Sequence, residues 1–394
     1  MSRIAALVLV SLYFLSLKAQ GTRFKPIWDN LTTEVRQILE SNRIVGAGLY
    51  FVKDDRILDS LNFGYADLVL KEKVNSHTIF HWASITKTFT GIGIMQARDR
   101  GHLRLTDPIV QHLPGLKKVY NPFGPMDQIT VSHLLSHSAG FRAGTWPWGG
   151  DEAWHPYEPS SWTQLESMLP YTRILFPPGS KFSYSNPGVT FLGRVLEQLY
   201  GEDIEVYLNK QILMPLDMRE SYFDLTPAYL LSQRSNNYSW LRDSLYFNGK
   251  DFDTGITVGN GGLNSSISDM VRYIQYLLTP SSGNGRYVLS ASSLQEMWTP
   301  VLTTDEGKSW IGKIFFNEKR TIAGQEQVFI GHTGSQKGFR SFFYIHPATH
   351  TGVIFSMNTD IWIDRDGLGI DRSREILYQI RELIFNQAFA AFIP

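Results

Sequence analysis

The chain has 394 residues, 37 lysines and arginines against 37 aspartates and glutamates, 43% hydrophobic residues and no cysteine. That composition builds a core and excludes a disordered chain, and a zero formal charge leaves no basic field for a phosphate backbone, so nucleic acid is not an expected partner. The lack of cysteine excludes disulfides, thiolate-bound zinc, iron–sulfur clusters and a thiol nucleophile, which leaves oxygen or nitrogen for any nucleophilic chemistry.

In chain order, Ser2-Arg3, the apolar run Ile4 to Leu17 and Lys18-Ala19-Gln20-Gly21 have the layout of a secretory signal cleaved after Ala19. The run falls short of the roughly 20 residues that span a bilayer, so no stable membrane insertion is expected once the signal is removed. Export without cysteine suits a bacterial periplasm, and loss of Arg3 and Lys18 leaves 35 basic residues against 37 acidic ones. Ile27, Leu31, Val35, Ile38 and Leu39 then recur at helical spacing. Val45 to Val52 and Ile57 to Gly64, separated by Lys53-Asp54-Asp55-Arg56, read as a hairpin. Residues 86–300 read as mostly helical with Pro/Gly breaks, and strand signals return at Gln327 to Ile330, Ser341 to His346 and Val353 to Met357. Ile376, Leu377, Ile380, Leu383 and Ile384 close the chain as an amphipathic helix.

This order predicts an α+β fold. An antiparallel sheet of about five strands comes from both chain ends and is flanked by terminal helices, with an all-helical lobe beside it. Residues 1–19 read as the signal and 20–394 as a single domain, with a sheet lobe at about 24–80 and 305–394 and a helical lobe at about 81–304. Gly144 to Trp162 gathers Trp146, Trp148, Trp154, Tyr157 and Trp162, which suit either a self-packed loop or an aromatic rim over a cleft.

The segment richest in chemistry is His81-Trp82-Ala83-Ser84-Ile85-Thr86-Lys87. Ser84 and Lys87 share a helix face at i and i+3, and the positive helix end favours an alkoxide at Ser84 whose proton Lys87 can accept or steer. Alone, this spacing also describes a capping serine followed by a solvated lysine. Two further motifs follow it, Tyr184-Ser185-Asn186 after a Gly/Pro-rich loop and His332-Thr333-Gly334 on a late strand.

Taken together, Ser-x-x-Lys, Tyr-x-Asn and His-Thr-Gly in this order make the sequence resemble the serine β-lactamase and penicillin-binding-protein superfamily, in its class C and DD-peptidase branch. Gly64 to Asp67, Gly101 to Pro108, Ile129 to Gly140 and Gly261-Gly262-Leu263 extend the likeness over about residues 30–390. The resemblance implies a β-lactamase/transpeptidase-like fold and a hydrolase that works through an acyl-serine. Ser84 would be its nucleophile, Lys87 the proton partner and Tyr184 the general base or acid. Asn186, His332, Thr333, Gly334 and Ser335 would bind substrate, with an oxyanion held by the N–H groups of Ser84 and Ser335. It implies neither cofactor nor metal. The substrates it implies are small esters or D-alanyl-type amides and peptides; a class C-like β-lactamase and a non-turnover penicillin-binding sensor or scaffold are the alternatives.

His332 stands where most β-lactamases carry lysine, so a permanent cation is replaced by a group largely neutral at pH 7. Lys337 and Arg340 are either substitute carboxylate partners or solvated surface residues. His133 and His137 stand at i and i+4 without the glutamate of a zinc peptidase, Asp364 to Gly369 lacks the ligands of a calcium loop, and Gly91-Ile92-Gly93 lacks the third glycine of a dinucleotide site.

Overall fold

Helix α1 (residues 23–41) turns Phe24, Trp28, Leu31, Val35 and Leu39 inward. Ile27 and Ile38 are only half-buried, because the two aromatic rings rotate the apolar stripe toward themselves and bury more area than an isoleucine does. This computed structural model describes residues 23–142, 159, 161–251, 253–280, 288–305, 307–365 and 368–394. The expected signal segment and, in the tryptophan-rich stretch, Trp146, Trp148, Trp154 and Tyr157 lie outside the described residues. Trp162 opens a short helix, donates its indole N–H to Glu197 at 3.2 Å and carries the Arg194 guanidinium 4.9 Å from its ring.

Strands β1 (Gly46–Lys53) and β2 (Arg56–Asp67) form the expected hairpin, with Asp54 at φ 55° in the turn. With β3 (Glu72–Lys73), β4 (Leu302–Asp305), β5 (Ser309–Ile311), β6 (Phe316–Ile322), β7 (Gln325–Gln336), β8 (Phe339–His346) and β9 (Thr351–Met357) they make a nine-stranded sheet, in the order β3-β2-β1-β9-β8-β7-β6-β5-β4. Five neighbouring strands, from β2 to β7 in that order, are the ones legible from sequence; one further strand extends the sheet beyond β2 and three beyond β7. All its pairings are antiparallel, and β1 meets β9 from Ala47↔Met357 to Lys53↔Thr351, which joins the two ends of the chain.

Both faces of the sheet are covered, so β1 and β9 are buried along almost their whole length. On one face lie α1 and the C-terminal helix α5 (Ser373–Leu383), with Phe24, Phe51, Phe389 and Phe392 packed together at centroid distances of 5.0 to 5.7 Å. On the other lie α2 (Thr86–Asp99), α3 (Asn186–Tyr200) and α4 (Ile267–Leu278), whose apolar faces form the larger core. Helix α4 rides directly on β1: a Cβ at Gly48 would come within 2.3 Å of Ile267 Cδ1, so a larger residue there would force the end of that isoleucine side chain to move.

The helical lobe also carries short strands. Ile79–His81, Leu263–Ser266 and Ser221–Phe223 pair as a three-stranded sheet, and Tyr238–Leu241 with Ser244–Phe247 joins Thr359–Arg365 and Leu368–Asp371 in a four-stranded one. Strands of three or four residues are too short for period-two alternation to show, which is why this region reads as helical. The two sides of the Asp364 to Gly369 segment are hairpin strands.

Candidate active site

Strand Ile79–His81 delivers the chain to the seam between sheet and helical lobe. Trp82 is buried there, its backbone N–H on the Leu263 carbonyl at 2.8 Å and its indole N–H on that of Ser265 at 2.9 Å. Ala83 then takes φ 49°, a left-handed conformation that a non-glycine residue adopts only where its surroundings enforce it. Ser84 lies in the single 3₁₀ turn Ala83–Ile85 ahead of α2, so it precedes the helix by two residues rather than opening it.

Lys87, in the first turn of α2, is fully buried. Its Nζ donates to Ser84 Oγ at 3.0 Å and to the Asn260 carbonyl at 2.7 Å, and lies 5.1 Å from the centroid of the Tyr184 ring. A buried ammonium is tolerable only when such acceptors replace its water. Tyr184 stands just before Ser185, which caps α3 by accepting from the Gly188 N–H at 3.1 Å. Burial pushes the Tyr184 phenol well above its ordinary value, and a hydrogen bond with Ser84 pulls the other way. Ser84, Lys87 and Tyr184 are thus in direct contact.

His332 is buried on the other side of the Tyr184 ring, with centroids 6.4 Å apart and Phe316 edge-on at 5.3 Å. Its Nδ1 is 2.7 Å from the Thr333 carbonyl and therefore carries the hydrogen, which leaves Nε2 as a bare acceptor without a partner among the described residues. Burial, reinforced by the Lys87 charge, lowers the His332 imidazole to about 3. The neutrality expected from sequence is therefore built in. Asn186 begins α3, and its Oδ1 is likewise buried without a partner among the described residues.

Strand β7 passes the turn that carries Ser84 so closely that a Cβ at Gly334 would lie 2.3 Å from the Trp82 carbonyl. Its pairing with β6 ends at Gly331↔Phe316, whereas its pairing with β8 runs on to Gln336↔Phe339. One edge of His332 to Gln336 is left unpaired among the described strands, and Thr333 and Ser335 are exposed there. A cleft of about 780 Å³ opens from Phe182, Phe316, His332 and Thr333 and runs toward Arg320 and Arg381; Ser84, Lys87 and Tyr184 do not line it.

Arg340 is neither a surface residue nor an available carboxylate partner: it is buried, with Nη2 on Asp360 at 3.1 Å and Asp371 at 3.0 Å. Lys337 is exposed at the β7–β8 turn with φ 46°. The histidine pair also comes apart, because its helix ends at Leu135. His133 accepts from the Thr130 N–H as part of a helix cap, while His137 turns into the site at φ 51°. Sequence reasoning missed the Asn260 carbonyl, for which no residue type is diagnostic, and His137, whose ring stacks on Tyr184 at 4.6 Å and 26°.

The β-lactamase family model matches residues 31–377. Among solved structures, a class C β-lactamase superposes with TM-score 0.73 at 20% identity, covering 91% of this chain and 97% of that one. An octameric penicillin-binding protein homologue from Pyrococcus abyssi gives 0.72 at 23%, covering 91% and 78%. Among curated proteins, Protein flp of Staphylococcus aureus (strain COL) is 22% identical over 336 residues, 84% of this chain and 63% of that protein. A β-lactamase of Escherichia coli (strain K12) is 26% identical over 260 residues, 64% of this chain and 61% of that protein. The chain therefore spans under two thirds of the length of the curated relatives it matches. With the family model covering most of the sequence and the three motifs gathered at one seam of the fold, the chain belongs to the β-lactamase family.

Proposed function

We propose that this protein is an exported serine hydrolase that forms an acyl intermediate on Ser84 and acts on small esters or D-alanyl-type amides and peptides. The observation that carries the reading is the 3.0 Å contact between Ser84 Oγ and Lys87 Nζ, with the Tyr184 phenol hydrogen-bonded to the same serine. With Lys87 as the free amine, Ser84 Oγ attacks the acyl carbon while its proton passes to Lys87 Nζ, and the oxyanion that forms is held by the N–H groups of Ser84 and Ser335. Burial keeps Tyr184 as the neutral phenol, which places an O–H beside Ser84; it hands its proton to the strongly basic departing alkoxide or amide nitrogen and is reprotonated by Lys87. Water then attacks the acyl-serine carbonyl, gives its proton to the same pair and restores Ser84 as the acid product leaves.

The site disfavours a class C-like β-lactamase. His332 is neutral at pH 7, and Arg340 is occupied by Asp360 and Asp371, so the carboxylate of a β-lactam meets no cation at either position. A scaffold or sensor without turnover is disfavoured by the intact Ser84, Lys87 and Tyr184 contacts. Wild-type protein is expected to hydrolyse a p-nitrophenyl ester or a D-alanyl peptide and to gain one fluorophosphonate by intact mass, both lost in Ser84→Ala. A protein that does neither refutes the hydrolase, and rapid turnover of a chromogenic cephalosporin reverses the substrate order. Export rests on the first 19 residues; among the described residues no helix is long and apolar enough to cross a membrane. A mature N-terminus at Gln20 in the secreted or periplasmic fraction tests it.

A further inference from the structure

We propose that His137 is the positioning residue for Tyr184, holding the phenol against Ser84 by gripping the backbone on both sides of it. The inference rests on the assignment of Tyr184 as the proton-transfer group. Three contacts carry it. The N–H of Ser183, the residue before Tyr184, donates to the His137 carbonyl at 2.8 Å; the N–H of Ser185, the residue after, donates to His137 Nδ1 at 3.1 Å. Between these, the imidazole lies on the Tyr184 ring at 4.6 Å and 26°, backed edge-on by Phe182 at 6.0 Å. A single residue therefore fixes the position of the tyrosine backbone at two points and the plane of its ring at a third.

The arrangement also fixes the state of the histidine. An Nδ1 that accepts from a backbone N–H carries no hydrogen, so the neutral ring must bear its hydrogen on Nε2, and protonation at Nδ1 would set two N–H groups face to face. Burial and the nearby Lys87 charge favour the same neutral form. Nothing in the clamp thus changes across the range in which histidines ordinarily titrate. Its own anchor is firm. His137 is buried, its N–H donates to the Leu134 carbonyl at 3.2 Å, and the next residue's carbonyl accepts from Gly179 at 2.8 Å, which ties down the loop leading to Tyr184. A core histidine that merely filled space would not need a left-handed backbone or two backbone N–H groups from alternate residues of one catalytic segment.

The test compares two amides on the full chain. In His137→Asn the side-chain oxygen falls where Nδ1 stood and asparagine tolerates the left-handed backbone, whereas in His137→Gln the amide sits one bond further out and cannot meet the Ser185 N–H. His137→Phe keeps a ring and removes the acceptor. Active sites are counted with fluorophosphonate and kcat and KM are measured per titrated site. Expected for Gln and Phe is a loss of about 100-fold in kcat with KM within about threefold, as a catalytic group displaced by about 1 Å would give, and recovery to within about tenfold of wild type in Asn. Should either variant fail to fold, the other decides with Asn. Unchanged kcat per site in Gln or Phe, or an Asn variant as slow as these, overturns the clamp while leaving the hydrolase intact. A wild-type chain that takes no label at Ser84 overturns both.

Discussion

His332 is the residue at which this site departs furthest from a lysine-bearing β-lactamase, and its burial has a cost that is visible outside catalysis. Lowered to about 3 in the folded chain against about 6.5 unfolded, it stays neutral while the unfolded chain takes up a proton. Stability from this group is therefore complete above pH 6.5 and is lost as pH falls toward 3. Between pH 7 and pH 5 the loss is about 2 kcal/mol. His332→Gln removes that contribution, so denaturant titrations at the two pH values are expected to differ by about 2 kcal/mol less than in wild type. An unchanged difference would mean that the imidazole is not held neutral. Ser84, Lys87, Tyr184 and His332 were legible because their types and spacings are chemically specific. The Asn260 carbonyl was not, since every residue carries one, and His137 was read as half of a possible metal pair because i,i+4 spacing means a shared face only while the helix continues.

Among the elements, β7 carries most of the demand for accuracy. Gly334 has no room for a methyl group: a Cβ would lie 2.3 Å from the Trp82 carbonyl and 2.4 Å from Ser341 Oγ. Gly334→Ala is therefore expected to push β7 off the turn that carries Ser84 and to lower kcat by about 100-fold per titrated site. Preserved kcat would show that the strand can shift without cost. The turn that follows β7 is tied down separately, by Arg340, which donates to the carbonyls of Lys337 and Phe339 and pairs with Asp360 and Asp371 in the adjoining sheet. Arg340→Ala strands two carboxylates against the core and is expected to cost about 3–5 kcal/mol in urea unfolding. The sequence could not separate this arginine from a substrate ligand, because burial is decided by the neighbouring sheet, three of whose four strands have only four residues and leave no periodic trace.

Across the molecule, the nine-stranded sheet has a core on each face, and the two cores have different duties. Phe51, fully buried among Phe24, Phe389 and Phe392, belongs to the terminal-helix side, and Phe51→Ala is expected to cost about 3–5 kcal/mol while leaving kcat per titrated site within about twofold. A large fall in kcat would show that the two faces are mechanically coupled. This division was foreshadowed by amphipathic helices at both chain ends, whereas the width of the sheet was not, because its outer strands are short.

The pairing of β1 with β9 has a consequence for how the protein is made. Lys53 meets Thr351, so the central strand waits for a partner almost 300 residues later, roughly 15 to 60 s of synthesis at about 5–20 residues per second. For most of that interval Ser84 and Lys87 have been made while the strand carrying His332 and Ser335 does not yet exist. On the function proposed above, a chain truncated near residue 320 lacks both His332 and the Ser335 N–H and is expected to hydrolyse no p-nitrophenyl ester, so activity would begin only when the last strands arrive.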